Sequence, residues 1–387
     1  MTFLSATPTW RQAALALCVA TTPGLAAAEG AEQAMLDDIA QMYEILLEYQ
    51  VDPPAGVLVA VMGDASYIGT VGSGPGGEPP AADSIFRIGS VTKVLTGQVM
   101  AAMIAAGKIA AEDPVTTYLP DLPGAELNGV PLRLIDLVGQ ASGLPRDLPV
   151  EPGPDGNPDM ARTLPAIEAW MGAHDLMFEP GSRILYSNFG FQILGAALGA
   201  ANGTSYTEAL AEYVTGPLGM VDTANEVAPA AMDRLLPSYF FDGSELPMVP
   251  GSDLVGASGG IFTTAQDLQT WMRWNLASGD GTGDDRVRKI YHAPHGRRSD
   301  YKSVSLMDES GALDAMGMGW VFMDGTDHTP ATMQKAGAHA GYMAYVAFAP
   351  EKQAAVFMAI NKFDFDMDET MTGLANSMLA SLPGAMD

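Results

Sequence analysis

Two sets of short apolar runs lie at opposite ends of this chain, and strands must find partners wherever the sequence puts them. Near the N-terminus GVLVAVM (56–62) precedes SYIGTVG (66–72). Their Val-rich, strand-length pattern predicts a hairpin, closed by the Gly/Pro-rich stretch GSGPGGEPP (72–80). Beyond residue 315 come MGWVFM (318–323), YMAYVAFAP (342–350) and AAVFMAINK (354–362), followed by a helical pattern over 369–382. Between about 110 and 300, short helical patterns alternate with polar loops such as VEPGPDGNPD (150–159) and GDGTGDD (279–285). The layout predicts an α+β fold: one antiparallel sheet built from both chain ends and covered by helices, with a large, mostly helical subdomain inserted over 110–300.

The 387 residues are 48% hydrophobic, ample for a sizeable core. Residues 1–28 differ from the rest. They hold one cation, Arg11, then an apolar run over 13–20, then the small-residue string Ala26-Ala27-Ala28 before Glu29. This is the layout of a secretory signal with a single domain over 29–387, and the run is too short to span a membrane. The only cysteine, Cys18, lies inside it, so the mature chain would carry neither disulfides nor thiolate metal sites. Leu17 before Cys18 argues against a lipoprotein anchor. The expectation is a periplasmic or secreted protein with no integral membrane segment. Net charge is −27 and the Lys and Arg residues are scattered, which excludes nucleic acid as a partner, since that affinity needs clustered cations.

The segment FRIGSVTK (86–93) opens an apolar helical pattern, Val91, Val94, Leu95, Val99, Met103 and Ile104, with Gly107 as its stop. Lys93 falls in the first turn, where the helix dipole disfavours a cation. It lies three residues after Ser90, so both side chains share one face, and a lysine held neutral there can take a serine proton. The spacing recurs at Ser299 and Lys302 in an Arg-rich stretch with no apolar helix behind it. Tyr186 and Asn188, spaced i, i+2 before another buried helical pattern (189–198), can face one pocket with them. Lys335-Ala336-Gly337 begins the strand that runs into YMAYVAFAP, a cation with a glycine that permits close backbone approach. The ordered occurrence of S-x-x-K, Y-x-N and K-x-G is the signal.

Other matches are weaker. Residues 72–77 fit G-x-G-x-x-G, but Glu78-Pro79-Pro80 follows where a helix would have to open. Gly256-Ala257-Ser258-Gly259-Gly260 fits G-x-S-x-G without a preceding strand, and Thr263 with Gln266 reads as the capping box of the next helix. His292 and His295 flank Pro294 with no third ligand near, which reads as a solvated loop. The acidic stretch 280–285 lacks the alternation of a calcium hand and reads as plain surface.

Taken together, FRIGSVTK, DLVGQASGLPRDLP (136–149), LYSNFGFQILG (185–195) and KAGAHAGYMAYVAFAPEKQAAVFMAINK (335–362) resemble the class C β-lactamase and low-molecular-weight penicillin-binding-protein family, including its D-alanyl-D-alanine carboxypeptidase/endopeptidase branch. The resemblance implies Ser90 as acylated nucleophile, with proton transfers shared by Lys93 and Tyr186. It implies Asn188 as a ligand of the substrate amide that also orients Lys93, Lys335 as a source of positive potential, and the backbone N–H groups of Ser90 and Ala338 as oxyanion hole. Gly337 and His339 would border the substrate. Such chemistry needs no metal or cofactor.

Departures from the family pattern carry information too. K-T-G becomes K-A-G, and Ala338-His339 stand where the family has Ser-Thr, so hydroxyls that bind a β-lactam or peptide carboxylate are missing. His339 replaces that contact, belongs to an H-x-G variant (His339-Ala340-Gly341), or is an ordinary polar residue of the rim. The expected function is an exported serine hydrolase acting on a small molecule or peptide: a D-amino-acid peptidase with β-lactams as further substrates. The alternatives are a carboxylic esterase on the same machinery and a catalytically silent wall-peptide-binding protein.

Overall fold

A computed structural model describes residues 55–382 apart from 75–76, 153–156, 278, 280–282, 308–312 and 366, together with residues 33, 34, 36, 37 and 41. The signal-like segment 1–28, with Cys18, lies outside the described residues.

Strands β1 (Gly56–Met62) and β2 (Ala65–Val71) form the N-terminal hairpin. The chain then departs through helices α1 (Thr92–Ala105), α2 (Asn188–Asn202), α3 (Asp253–Ser258), α4 (Ala265–Leu276) and α5 (Gly283–Tyr291). It returns as β3 (Gly296–Arg297), β4 (Ala315–Met316), β5 (Val321–Met323), β6 (Thr332–His339), β7 (Tyr342–Ala349) and β8 (Ala354–Ile360), and ends in α6 (Met367–Ser381). The eight strands make one antiparallel sheet in the order β3-β4-β5-β6-β7-β8-β1-β2, closed by pairing of Gly56 with Ile360 and Met62 with Ala354. The two chain ends therefore share a sheet.

The unbroken apolar run of β1 has a physical reason. Val57, Val59 and Val61 pack into the core beneath α1 and α4, while Leu58, Ala60 and Met62 pack with Met371, Ala375 and Met378 of α6. Both faces are covered, so neither parity of the strand can be polar. On the larger side Phe348 of β7 meets Trp271 and Trp320 edge-on, at 5.5 Å from each.

Several local expectations are corrected. The strand starting near Lys335 does not run into YMAYVAFAP. It reverses at Ala340 and Gly341, whose φ values of 47° and 86° make the tight turn between β6 and β7. The cap of α4 is Thr264, whose hydroxyl accepts from Asp267 N–H, one residue beyond the expected Thr263. Asp284 and Asp285 are not mere loop surface but open α5, where acids complement the dipole. His292 is half-buried against Asn275, and burial pushes its pKa down to about 4. Gly107, at φ 72°, follows α1 as expected.

Phe348 is fully buried between the two indoles. Phe348→Ala is expected to cost about 3–5 kcal/mol, read as a lower denaturant midpoint at unchanged slope.

Candidate active site

The turn Gly89–Val91 leads into α1 without a side-chain cap, so Ser90 is not a helix cap. Phe86 anchors this turn to the sheet by stacking on Phe357 of β8 at 6.1 Å. Strand β6 then passes so close that a Cβ on Gly337 would lie 2.3 Å from Ile88 O and 2.7 Å from Ser90 N. Gly89, at φ 50°, leaves the same clearance on the other side, where a Cβ would sit 2.5 Å from Ala338 N. Two glycines thus bring the Ala338 backbone against the Ser90 turn.

Lys93 has no exposure and Ser90 only 6%. Lys93 Nζ donates to Ser90 Oγ at 3.1 Å, to Asn188 Oδ1 at 2.7 Å and to the Ser258 carbonyl at 2.5 Å. That carbonyl ends α3, where helix geometry leaves acceptors unused and the dipole is negative. The cation that is misplaced on α1 is well placed on α3. Tyr186 O–H donates to Ser90 Oγ, and its ring lies 4.7 Å from Lys93 Nζ, 5.2 Å from the buried Lys335 Nζ and 4.7 Å from the Arg146 guanidinium. Cations over a ring face are attracted by its quadrupole.

Residues 140–147 hold Tyr186 and Asn188 in place. Gln140 Oε1 accepts from Ser187 N–H, Arg146 O accepts from Asn188 N–H at 2.7 Å, and Ser187 Oγ donates to Pro145 O while capping α2 at Gly190 N–H. Asn188 Nδ2 in turn donates to Asp147 Oδ1 at 2.9 Å.

Ser90, Asn188, Ser258, Ala338 and His339 line one cavity of ≈ 100 Å³, with Arg146, Asp147, Arg162 and Gln192 on its wall. His339 Nε2 stands 3.2 Å from Asp159, too poorly aligned for a good hydrogen bond. Burial lowers the His339 pKa, helped by the Arg87 and Arg162 charges and opposed by Asp159. Burial would raise the Asp159 pKa, but His339, Arg162 and Arg87 together hold it below the usual carboxylate value. Arg87, buried with its guanidinium 4.3 Å over Phe262, is pushed down to about 10 by burial, against the pull of Asp159 and Tyr342.

All eight sequence-expected residues therefore converge: Ser90, Lys93, Tyr186, Asn188, Lys335, Gly337, Ala338 and His339. The second S-x-x-K does not join them, as Ser299 and Lys302 are exposed. Ser258 enters through its carbonyl, while its hydroxyl donates to Val255 O at 3.2 Å. Residues 52–376 match the beta-lactamase family. The chain belongs to it.

Within the beta-lactamase family, the D-alanyl-D-alanine-carboxypeptidase/endopeptidase AmpH of Escherichia coli K12 is 29% identical over 381 residues, covering 95% of each chain. A beta-lactamase of the same organism is 27% identical over 89% of this chain and 94% of its own. Among solved structures, a beta-lactamase/D-alanine carboxypeptidase from Yersinia pestis, complexed with citrate, superposes with TM-score 0.81 at 30% identity over 90% of this chain and 99% of that one. A class C beta-lactamase at 19% identity shares the fold, with TM-score 0.75 over 92% and 98% of the two chains. The protein is a serine hydrolase of this family. Among the described residues no helix is long and apolar enough to cross a membrane.

Sequence reasoning left Asp159, Arg162 and Gln192 without any role at this site. Asp159 opens a single 3-10 turn (Asp159–Ala161) that Arg162 follows, Gln192 lies on α2, and no spacing ties them to Ser90. Gly337→Ala should displace the β6 backbone from the Ser90 turn. We expect labelling of Ser90 by a fluorophosphonate to slow by about a hundredfold, the scale of a 1 Å misplacement, while the circular dichroism spectrum keeps its native form.

Proposed function

We propose that the protein is an exported serine hydrolase forming an acyl-enzyme at Ser90, and that its main substrate is a D-amino-acid peptide bond of cell-wall type, with β-lactams as secondary substrates. The observation that carries this reading is the convergence on Ser90 Oγ of Lys93 Nζ and Tyr186 O–H in a buried setting. The relatives' names support the substrate class: one is a D-alanyl-D-alanine-carboxypeptidase/endopeptidase, the other a beta-lactamase/D-alanine carboxypeptidase. The signal-like residues 1–28 support export.

In this reading Ser90 Oγ adds to the scissile carbonyl and its proton passes to the Lys93/Tyr186 pair. The N–H groups of Ser90 and Ala338 hold the oxyanion. Lys335 and Arg146 lie over the Tyr186 ring, and their positive charge stabilises negative charge on the phenol oxygen. Collapse expels the amine, which takes the proton back, and leaves an ester on Ser90. Water then attacks the ester, giving its proton to the same pair, and collapse releases the acid as the leaving Ser90 Oγ takes that proton back. Asn188 binds the substrate amide, and Gly337 and His339 border it.

The second reading, a carboxylic esterase, is favoured by Ala336 and Ala338 where hydroxyls would grip a carboxylate. Mass spectrometry after exposure to a fluorescent penicillin and, separately, a fluorophosphonate decides between them. The proposal expects Ser90 adducts from both; an adduct from the phosphonate alone favours the esterase, and none from either overturns the catalytic reading. Ser90→Ala should abolish labelling and hydrolysis of p-nitrophenyl esters. Lys93→Ala should slow acylation by about 10²–10⁴ with little change in melting temperature, whereas a large drop in stability would make Lys93 a structural residue.

A further inference from the structure

We propose that Asp147 is a positioning residue that keeps the lone pair of Lys93 open to Ser90 by fixing which end of the Asn188 amide faces the amine. This rests on the assignment of Lys93 as proton acceptor. A contiguous chain joins the groups: Asp147 Oδ1 accepts from Asn188 Nδ2 at 2.9 Å, Asn188 Oδ1 accepts from Lys93 Nζ at 2.7 Å, and Lys93 Nζ lies 3.1 Å from Ser90 Oγ.

What each group can donate and accept fixes which end of the amide faces the amine. A charged lysine only donates, so Asn188 must show it an oxygen. A neutral lysine has two N–H groups and one lone pair, and it can act as base toward Ser90 only if that lone pair points there. Its two N–H groups must then go to the Ser258 carbonyl and to Asn188 Oδ1. The Asn188 amide, however, can turn by 180° and present its NH₂ group instead. That group would donate into the Lys93 lone pair and occupy the one orbital the reaction needs.

Asp147 forbids the turned state. A carboxylate only accepts, so the end of Asn188 that faces it must be Nδ2, and a turned amide would place two acceptors against each other. The carboxylate is itself steered by Arg146 Nε at 3.8 Å and Arg162 Nη2 at 3.9 Å. Among the described residues one of the two N–H groups on Nδ2 is used, and the other is available to a substrate carbonyl. The Asp147 side chain is 41% exposed, so its replacement leaves the core untouched.

The test separates orientation from charge. Acylation by the fluorophosphonate is followed against pH for wild type, Asp147→Ala and Asp147→Asn, with melting temperatures alongside. Both variants delete a negative charge near Lys93, so both should move the rising limb of the pH profile to lower pH. Only Asp147→Ala deletes the acceptor, so its plateau rate should fall about ten- to a hundredfold, as is usual when a group that orients a reactive one is lost. Asp147→Asn can accept from Asn188 as it stands but can also turn and donate to a turned Asn188, so its plateau should fall between those of wild type and Ala, whereas a role through charge alone would leave both plateaus at the wild-type level. A plateau for Asp147→Ala within twofold of wild type overturns the proposal, as do plateaus for Ala and Asn that both match wild type while only the rising limb moves. Should the Ala protein fail to fold, Asp147→Leu, of similar shape and without an acceptor, takes its place. Wild-type protein unlabelled at Ser90 would sink the parent reading instead, so the two failures are distinguishable.

Discussion

The site depends on one buried amine. Lys93 sits in the first turn of α1 with no exposure, where burial and the helix dipole both act against a cation. The protein offsets this with acceptors supplied from three directions: Ser90 one turn back, Asn188 at the start of α2, and the Ser258 carbonyl at the end of α3. Three segments far apart in sequence must be in register before the amine is satisfied. Removing any acceptor leaves a buried donor unmet, which typically costs more than the hydrogen bond was worth.

That requirement explains features that otherwise look incidental. Ser258 contributes a helix-end carbonyl, which α3 would leave without an intrahelical partner wherever it stopped. Ala257 O, just before it, accepts from Thr96 Oγ1 at 2.7 Å, so α1 is bound to α3 by two successive carbonyls. On the opposite side Gly89 and Gly337 bring the turn and β6 to backbone contact. The sheet that carries β6 is closed only by pairing β8 with β1, so both ends of the chain hold the strand that borders Ser90.

Legibility in the sequence followed the range of the interaction. Strand runs such as GVLVAVM could be read because burial on both faces forces a continuous apolar string, and Ser90 with Lys93 because their pairing is local. Tyr186 and Asn188 were legible through a shared motif and the helix after it. The β6–β7 reversal was missed because Ala340 takes positive φ without being glycine, an exception that composition does not advertise. The Ser258 contribution was invisible for a deeper reason, since a backbone carbonyl is the same at every residue. Asp159 and Arg162 reach the site only through the tertiary approach of their loop to the tip of β6, and residue spacing holds no record of that.

Charge distribution adds a constraint that no single contact supplies. The chain has 19 Lys and Arg against 46 Asp and Glu, yet Lys93, Lys335, Arg146 and Arg162 border or back the Ser90 cavity, with Arg87 behind it. Against them, among the described residues, stand Asp147 and Asp159, each engaged by arginine. In an acidic molecule such a pocket concentrates positive potential where the surrounding surface repels anions, and low-dielectric walls focus it further. A neutral ester gains no long-range attraction from this arrangement. A peptide ending in a free carboxylate gains both orientation and local concentration, even with Ala336 and Ala338 in place of hydroxyls. Long-range charge can thus take over part of what the missing hydroxyl contacts would do at short range.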